Sequence, residues 1–154
     1  MATKKFNGFK NIILTTDFSD ASTDAFSYAL SMARNYNAKL TILHVVDTST
    51  DASGFYLPHI SFKNLDKEMK SSAMAMLEKN YKRRLNAHKK YEFVVLSGNP
   101  HKEIIKYTDK TGADLVVMGT YGHSGIDRLV FGSTTERVLR EAKCPVLAIH
   151  PMST

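Results

Sequence analysis

Glycine and hydroxyl residues come together in one stretch near the C-terminal end of the chain. Gly119 and Gly122 are followed, after nine intervening residues, by Gly132 and then by three consecutive hydroxyl side chains. Glycine lets a backbone approach a ligand, tolerates positive φ and leaves N–H groups exposed, which suits a phosphate-binding loop. The stretch lacks the G-K-[ST] sequence of a P-loop. We therefore predict a phosphate site built mainly from main-chain donors.

A helix is predicted directly after this stretch, from Ser133 to Ala142. The unbonded amides and the positive dipole end of such a helix would add to the attraction for phosphate. A purely structural interpretation stays open, because Ser133 and Glu136 match a capping box. Capping does not explain three spaced glycines that lead into a helix. His123, within the loop, either contacts a phosphate or faces solvent.

The surrounding elements alternate between short apolar runs and helical patterns. The strand predictions are Asn11 to Thr15, Lys39 to Val46, Glu92 to Ser97, Asp114 to Gly119 and Pro145 to His150. The helix predictions are Asp20 to Tyr36 with Ser19 as N-cap, Lys63 to His88, Pro100 to Lys110 with Asn99 as N-cap, and Ser133 to Ala142. This order predicts a single α/β domain over residues 1–154, with a Rossmann-like, doubly wound, five-stranded parallel sheet in the order 3-2-1-4-5. On the second helix, Leu65, Met69, Ala73, Met76 and Leu77 are predicted to fill the core.

Ligands of such sheets bind beyond the carboxyl ends of the strands, where the strand order reverses. Asp17, Asp47 and Gly119 stand at three of these ends. Asp17 alone could suggest a phospho-receiver site, but such a site needs further acidic residues where Thr16 and Ser97 stand. Asp17 is therefore either a ligand contact or an acceptor at the start of the first helix.

Composition excludes several classes of protein. The net charge is +6, much of it in the run Lys79 to Lys90, which is typical of a solvated helix face. No aromatic platform accompanies it, so no specific nucleic-acid binding is expected. Cys144 is the single cysteine, which excludes an intrachain disulfide and favours a cytoplasmic protein. We expect neither a signal peptide nor a membrane span, and the six histidines form no metal-ligand pattern.

Several motifs lie in the same order as in a known family. The stretch Gly119-x-x-Gly122, nine residues, Gly132-Ser133 is similar to the G-2x-G-9x-G-(S/T) motif of the ATP-binding universal stress proteins. Further similar segments are Thr16-Asp17-Phe18-Ser19, His44-Val45-Val46, Gly98-Asn99-Pro100 and Cys144-Pro145-Val146-Leu147. The resemblance extends roughly from Phe9 to His150 and leaves out the loop around Phe55 to Pro58.

The resemblance implies an adenine nucleotide α-hydrolase-like fold and a bound adenine nucleotide. The expected ligand is ATP, with ADP or AMP as alternatives and Mg²⁺ held through the phosphates. Asp17 would hold the ribose or adenine side, and the backbone of Val45 would recognise the adenine edge. The base pocket and the floor under the ribose and α-phosphate would be formed by Thr15, Thr16, Met118 and Gly119. The loop and its phosphate donors would be Gly122, Gly132, Ser133 and Thr134.

Two further implications concern assembly and activity. The resemblance implies a homodimer through the last strand, Val146 to His150. A regulatory nucleotide binder and a slow ATP hydrolase or nucleotidyl transferase both fit the loop, and a dimeric scaffold that binds no nucleotide is a third hypothesis. No lysine directly follows Gly132 and no general base is evident, so binding is better supported than turnover. The long segment from Asp47 to Phe62 is predicted to act as a lid or a contact surface.

Overall fold

Five parallel strands form one sheet in the order β3-β2-β1-β4-β5. The structure is a computed structural model that describes residues 5–49, 62–121 and 131–151. The strands are β1 (Asn11–Thr15), β2 (Lys39–Asp47), β3 (Tyr91–Gly98), β4 (Leu115–Gly119) and β5 (Val146–Ile149). The predicted α/β fold, its five strands and their order are therefore confirmed. The order reverses between β1 and β4, where a doubly wound sheet offers a crevice.

Four helices cover the two faces of the sheet. They are α1 (Asp20–Tyr36), α2 (Phe62–Leu77), α3 (Pro100–Thr111) and α4 (Ser133–Glu141). Side chains of α1 and α2 share one buried cluster with Ile12, Leu14 and Val117, whereas Ile104 of α3 and Val138 of α4 pack on the other face. Within the described residues, no helix has both the length and the apolar character needed to cross a bilayer.

Local capping fixes where two of these helices begin and end. The Ser19 hydroxyl accepts the Ser22 amide at the start of α1, and Asn99 Oδ1 accepts the Lys102 amide at the start of α3. Both N-caps were predicted from the sequence. Asn37 and Gly112 end these helices in the left-handed conformation, with φ of 52° and 64°. Both helices therefore begin at the carboxyl edge of the sheet, directly after β1 and β3.

The second helix differs from its prediction. In place of one helix from Lys63 to His88, α2 runs only to Leu77 and continues as a π-helical turn, Glu78–Lys82, and a last helical turn, Arg83–Leu85. The predicted inner face is also partly wrong. Leu65, Met69 and Met76 are exposed, while Ala73 and Leu77 are buried. The exposed part of the stripe faces a cleft rather than the sheet.

Candidate functional site

A cleft of about 810 Å³ opens at the carboxyl edge of the sheet, between the two helical layers. Its walls come from the ends of β1, β2 and β4 and from α2, α3 and α4. Nine predicted site residues line it: Thr15, Thr16, Asp17, Val45, Met118, Gly119, Gly132, Ser133 and Thr134. Gly122 and His123, the other two, lie outside the described residues. The sequence-predicted residues thus come together where the strand order reverses.

The unequal lengths of β1 and β2 leave a main-chain edge in this cleft. β1 pairs with β2 only as far as Thr15↔Leu43, and the Thr16 amide then donates to the Leu43 carbonyl at 2.9 Å. β2 continues to Asp47 and stays paired with β3. The N–H and C=O groups of successive residues point to opposite edges of a strand, so those of Val45 point to the same edge of β2 as those of Leu43. The N–H and C=O of Val45 therefore face the space that β1 has left.

A strained turn follows β1. Asp17 is exposed, and its Oδ1 accepts the Ser19 amide at 3.0 Å, which fixes the carboxylate at the start of α1. Phe18 has a φ of 65°, uncommon for a residue with a side chain. Its ring lies 4.7 Å from the ring of His44. Strain of this kind clusters at ligand sites.

Thr16 has a structural role in addition to its place in the cleft. Its hydroxyl lies 2.7 Å from the Tyr81 hydroxyl and 3.0 Å from that of Ser22, and it accepts the Phe18 amide at 3.0 Å. Its carbonyl accepts a hydrogen bond from His44 Nδ1 at 2.7 Å. These bonds hold Thr16 in place, so its side chain shapes the cleft wall through its packing.

The first turn of α4 opens into the opposite end of the cleft. The Glu136 amide makes the first intrahelical bond, to the Gly132 carbonyl at 2.9 Å. Helix geometry gives the three preceding amides, of Ser133, Thr134 and Thr135, no acceptor within the helix. The Gly132 amide, by contrast, donates to the Thr120 carbonyl at 2.8 Å. The Gly132 amide is thus already paired in this structure, and a contact between Gly132 and phosphate stays a prediction.

The capping-box interpretation of Ser133 does not hold in the structure. Gly132 occupies the N-cap position, and Ser133 is the first helical residue. The Glu136 carboxylate instead accepts a hydrogen bond from Arg140 at 2.7 Å. Gly132 has a φ of −59° and a ψ of 154°, so positive φ is not the reason for glycine there. Capping therefore does not account for the hydroxyl at position 133.

Gly119 is required by packing, which the sequence did not indicate. A Cβ at this position would lie 2.8 Å from the Cβ of Ala21 and 2.9 Å from the Ser22 amide nitrogen. The Gly119 carbonyl also accepts a hydrogen bond from the Thr135 hydroxyl at 2.8 Å. The residue therefore lets α1 approach β4 and ties β4 to α4, whatever else it does in the cleft.

One wall of the cleft was missed by sequence reasoning. It is formed by α2 residues whose shared feature is a helical spacing along one face: Leu65, Glu68, Met69, Ser72, Ala73 and Met76. Leu65, Met69 and Met76 remain 41%, 39% and 44% exposed. The apolar stripe was visible in the sequence, but its spacing does not say whether it meets a sheet or an open cleft.

Carboxylates dominate the charge of the described lining. Asp17, Asp47 and Glu68 contribute, and no lysine or arginine lies among the described lining residues. Beside the cleft, a hydrogen bond from the Ser97 hydroxyl lowers the pKa of Asp66, and nearby Lys70 lowers it further. The hydrogen bond from Ser97 attaches α2 to the end of β3. No group of three or more metal-ligating side chains occurs in the described part of the chain.

Comparison with known proteins gives a consistent result. The sequence model described as the Universal stress protein family matches residues 8–150. Universal stress protein MJ0531 of Methanocaldococcus jannaschii is 35% identical over 144 residues, which cover 93% of this chain and 83% of that protein.

Solved structures agree. Universal stress protein UspA from Lactobacillus plantarum superposes with a TM-score of 0.76 at 29% identity, covering 94% of this chain and 99% of that one. A universal stress protein in complex with cAMP has a TM-score of 0.68 at 26% identity, with coverage of 95% and 100%.

Proposed function

Because the chain belongs to the universal stress protein family, we propose that it binds an adenine nucleotide, ATP with Mg²⁺, in the cleft at the carboxyl edge of the sheet. One observation carries the proposal: the open backbone edge of Val45 and the first turn of α4 line the same cleft. The first suits a base and the second suits phosphates. The related structure in complex with cAMP supports this class of ligand.

The base end of the cleft favours adenine. Val45 offers one N–H donor and one C=O acceptor toward the space beyond β1. An adenine edge pairs an amino donor with a ring nitrogen acceptor, which complements one donor beside one acceptor. Guanine presents these groups in the reverse order. The exposed Met69 and Met76 provide an apolar wall for a flat ring.

The phosphate end suits a charged chain that carries its own cation. The amides of Ser133 and Thr134 lie at the positive end of α4, where anions are stabilised. The three carboxylates of the described lining would repel a bare triphosphate. Mg²⁺ bound to the phosphates offsets this repulsion, as it does in other phosphate sites. We propose ATP with Mg²⁺ as the ligand, with ADP and AMP as the alternatives that comparative binding measurements distinguish.

The open edge of β5 supports a homodimer. The Pro145 carbonyl accepts the amide of Val116 in β4, and the Ile149 carbonyl accepts the amide of Thr120 directly after β4. The backbone groups of Val146 and Ala148 therefore point away from the sheet. Unpaired edges of this kind pair readily with another strand. Two exposed apolar side chains lie near this edge: Phe131, 44% exposed, just before α4, and Leu139, 39% exposed, within it. The helix α4 packs against β5. A second copy of β5 would satisfy these groups about a two-fold axis.

In the proposed role, nucleotide occupancy regulates the contacts of a cytoplasmic dimer. Slow hydrolysis, which releases phosphate, or nucleotidyl transfer, which releases pyrophosphate, is the alternative activity, and assays of the two products distinguish it from binding alone. The chain has no G-K-[ST] sequence to draw charge from a γ-phosphate. Binding without rapid turnover is therefore the function that this cleft supports best.

Ser133→Pro is the experiment that tests the phosphate end. Position 133 is the first residue of α4, where proline is well tolerated, and Gly132 already has the extended backbone that proline requires before it. The change removes one amide donor and one hydroxyl from the cleft. A hydrogen bond to a charged group contributes about 1.5–3 kcal/mol, so ATP should bind about 10- to 150-fold more weakly by calorimetry.

Two controls define the outcome. Ser133→Ala keeps the amide and should retain most of the ATP affinity. Adenosine lacks phosphates and should bind both variants as it binds the wild type. Equal ATP affinity in wild type and Ser133→Pro would show that the phosphates do not lie at α4. A wild-type protein that does not bind ATP would refute the proposed function.

A further inference from the structure

Tyr81 lies in the π-helical turn, and its hydroxyl contacts Thr16 in the turn that follows β1. It is fully buried, its ring packs 4.9 Å from that of Phe26, and its hydroxyl lies 2.7 Å from Thr16 Oγ1. The tyrosine does not line the cleft itself. It follows α2, and residues of α2 do line the cleft. One side chain therefore connects α2 to the turn that carries Asp17.

The π-helical turn explains how Tyr81 reaches this position. Residues spaced by four drift by about 40° per step around an α-helix. Ala73, Leu77, Tyr81 and Leu85 are spaced in this way and yet are all buried. The wider i→i+5 turn at Glu78–Lys82 reverses part of the drift. It thereby returns Tyr81 and Leu85 to the sheet.

Proton accounting gives the direction of the hydrogen bonds. The Ser22 hydroxyl donates its proton to the Ser19 carbonyl at 2.9 Å, so it accepts from Thr16. Thr16 therefore donates to Ser22, accepts the Phe18 amide, and has one acceptor position left for the Tyr81 hydroxyl. The chain runs from Tyr81 through Thr16 to Ser22. Hydrogen bonds in such a chain strengthen one another.

We infer that Tyr81 is a positioning residue for the nucleotide, acting through Thr16. Its hydrogen bond holds the turn of residues 16–19 in the strained conformation that places Asp17 at the cleft. It also couples this turn to α2, whose Leu65 and Met69 form the opposite wall. The inference rests on the proposed function for its ligand. The coupling itself exists in the protein without nucleotide.

Tyr81→Phe removes the hydroxyl and keeps the ring. We expect the Kd of ATP and of adenosine to rise by the same factor, about five- to tenfold, because the turn serves the nucleoside end. In the nucleotide-free protein, hydrogen exchange of the Phe18 and Ser22 amides should accelerate selectively. Tyr107→Phe is the matched control. It removes a hydroxyl that donates to Glu92 at 3.2 Å, and Tyr107 lies on α3, on the other face of the sheet from Tyr81.

Thr16 variants test the route of the effect. In Thr16→Val, adding Tyr81→Phe should weaken binding no further, because the two changes interrupt one chain. Thr16→Ser keeps the hydroxyl and should restore slow exchange at Phe18. If Tyr81→Phe fails to fold, the pair Thr16→Val and Thr16→Ser tests the same hydrogen bond from its other partner.

The outcomes separate the two proposals. Wild-type nucleotide affinity in Tyr81→Phe would overturn the inference, as would faster exchange spread evenly over the chain. Additive losses in the double variant would also overturn it, because Tyr81 would then act by another route. If the wild type bound no nucleotide, the proposed function would fall, and the exchange measurement alone would decide the coupling.

Discussion

Replacing Gly119 with alanine tests its role in packing against α1 separately from its role in nucleotide binding. A methyl group at this position would lie 2.8 Å from Ala21 Cβ, 2.9 Å from the Ala21 carbonyl carbon and 2.9 Å from the Ser22 nitrogen. Carbon atoms in contact prefer about 3.5–4.0 Å. Two of the three neighbours are backbone atoms of the first turn of α1, which no side-chain rotation can relieve. The start of the helix must therefore move.

The expected cost is that of overpacking a core. Such changes typically destabilise a protein by about 1–3 kcal/mol, which for a chain of this size lowers Tm by about 2–12 °C. The loss should appear in urea unfolding without any nucleotide. Displacing Ser22 also disturbs its hydroxyl contact with Thr16, at 3.0 Å, so ATP affinity should fall as well.

Gly112→Ala is the matched control, because it changes the same residue type for a different reason. Nothing lies within 4 Å of a Cβ at Gly112, but its φ is +64°. It should lose about 1–2 kcal/mol through backbone strain alone and keep its ATP affinity. Ala21→Gly combined with Gly119→Ala should recover only part of the stability. If nucleotide-free Gly119→Ala were as stable as the wild type but failed to bind, the packing explanation would be refuted.

Further expectations concern the ligand, the dimer and pH. ATP with Mg²⁺ at 100 times its Kd should stabilise the protein by about 2.7 kcal/mol, raising Tm by about 5–11 °C, and an unmoved Tm would contradict binding. Phosphate release from ATP should stay well below about 1 s⁻¹, the low end of enzyme turnover. Ala148→Pro removes an outward N–H of β5 and should weaken the dimer in sedimentation, whereas Ala148→Ser should not. A hydrogen bond from Lys39 lowers the pKa of Glu92, so the charged carboxylate stabilises the fold. The stability lost in Glu92→Gln should therefore be greatest near neutral pH and should shrink as the pH falls from 4.5 downward. An unchanged difference in stability between variant and wild type across that range would contradict this expectation.

Local signals predicted much of the fold. β1 and α1 match their predicted bounds residue for residue, because an apolar run, the Ser19 cap and a helical stripe all lie within one short segment. The alternation of strands and helices predicted a parallel, doubly wound sheet with right-handed connections. The cleft lining followed in turn, since residues at the ends of β1, β2 and β4 necessarily meet at one edge.

The features that were missed depend on contacts between distant segments. Ala21 and Gly119 are almost one hundred residues apart, so their packing leaves no local pattern. A spacing of four residues through Leu77, Tyr81 and Leu85 fits an uninterrupted α-helix as well as one that contains a π turn. The hydrogen bond from the Gly132 amide to Thr120 likewise has no sequence signature.

The strand β2 extends beyond the end of its neighbour β1, and this difference in length has a consequence for evolution. Under the proposed function, the base is recognised by the peptide group of Val45 rather than by its side chain. Every residue except proline carries the same N–H and C=O. Substitutions at this position can therefore accumulate without altering which base is preferred. A longer β1 would cover the backbone groups of Val45, and a shorter β1 would expose more of β2. Either change would alter which base is preferred.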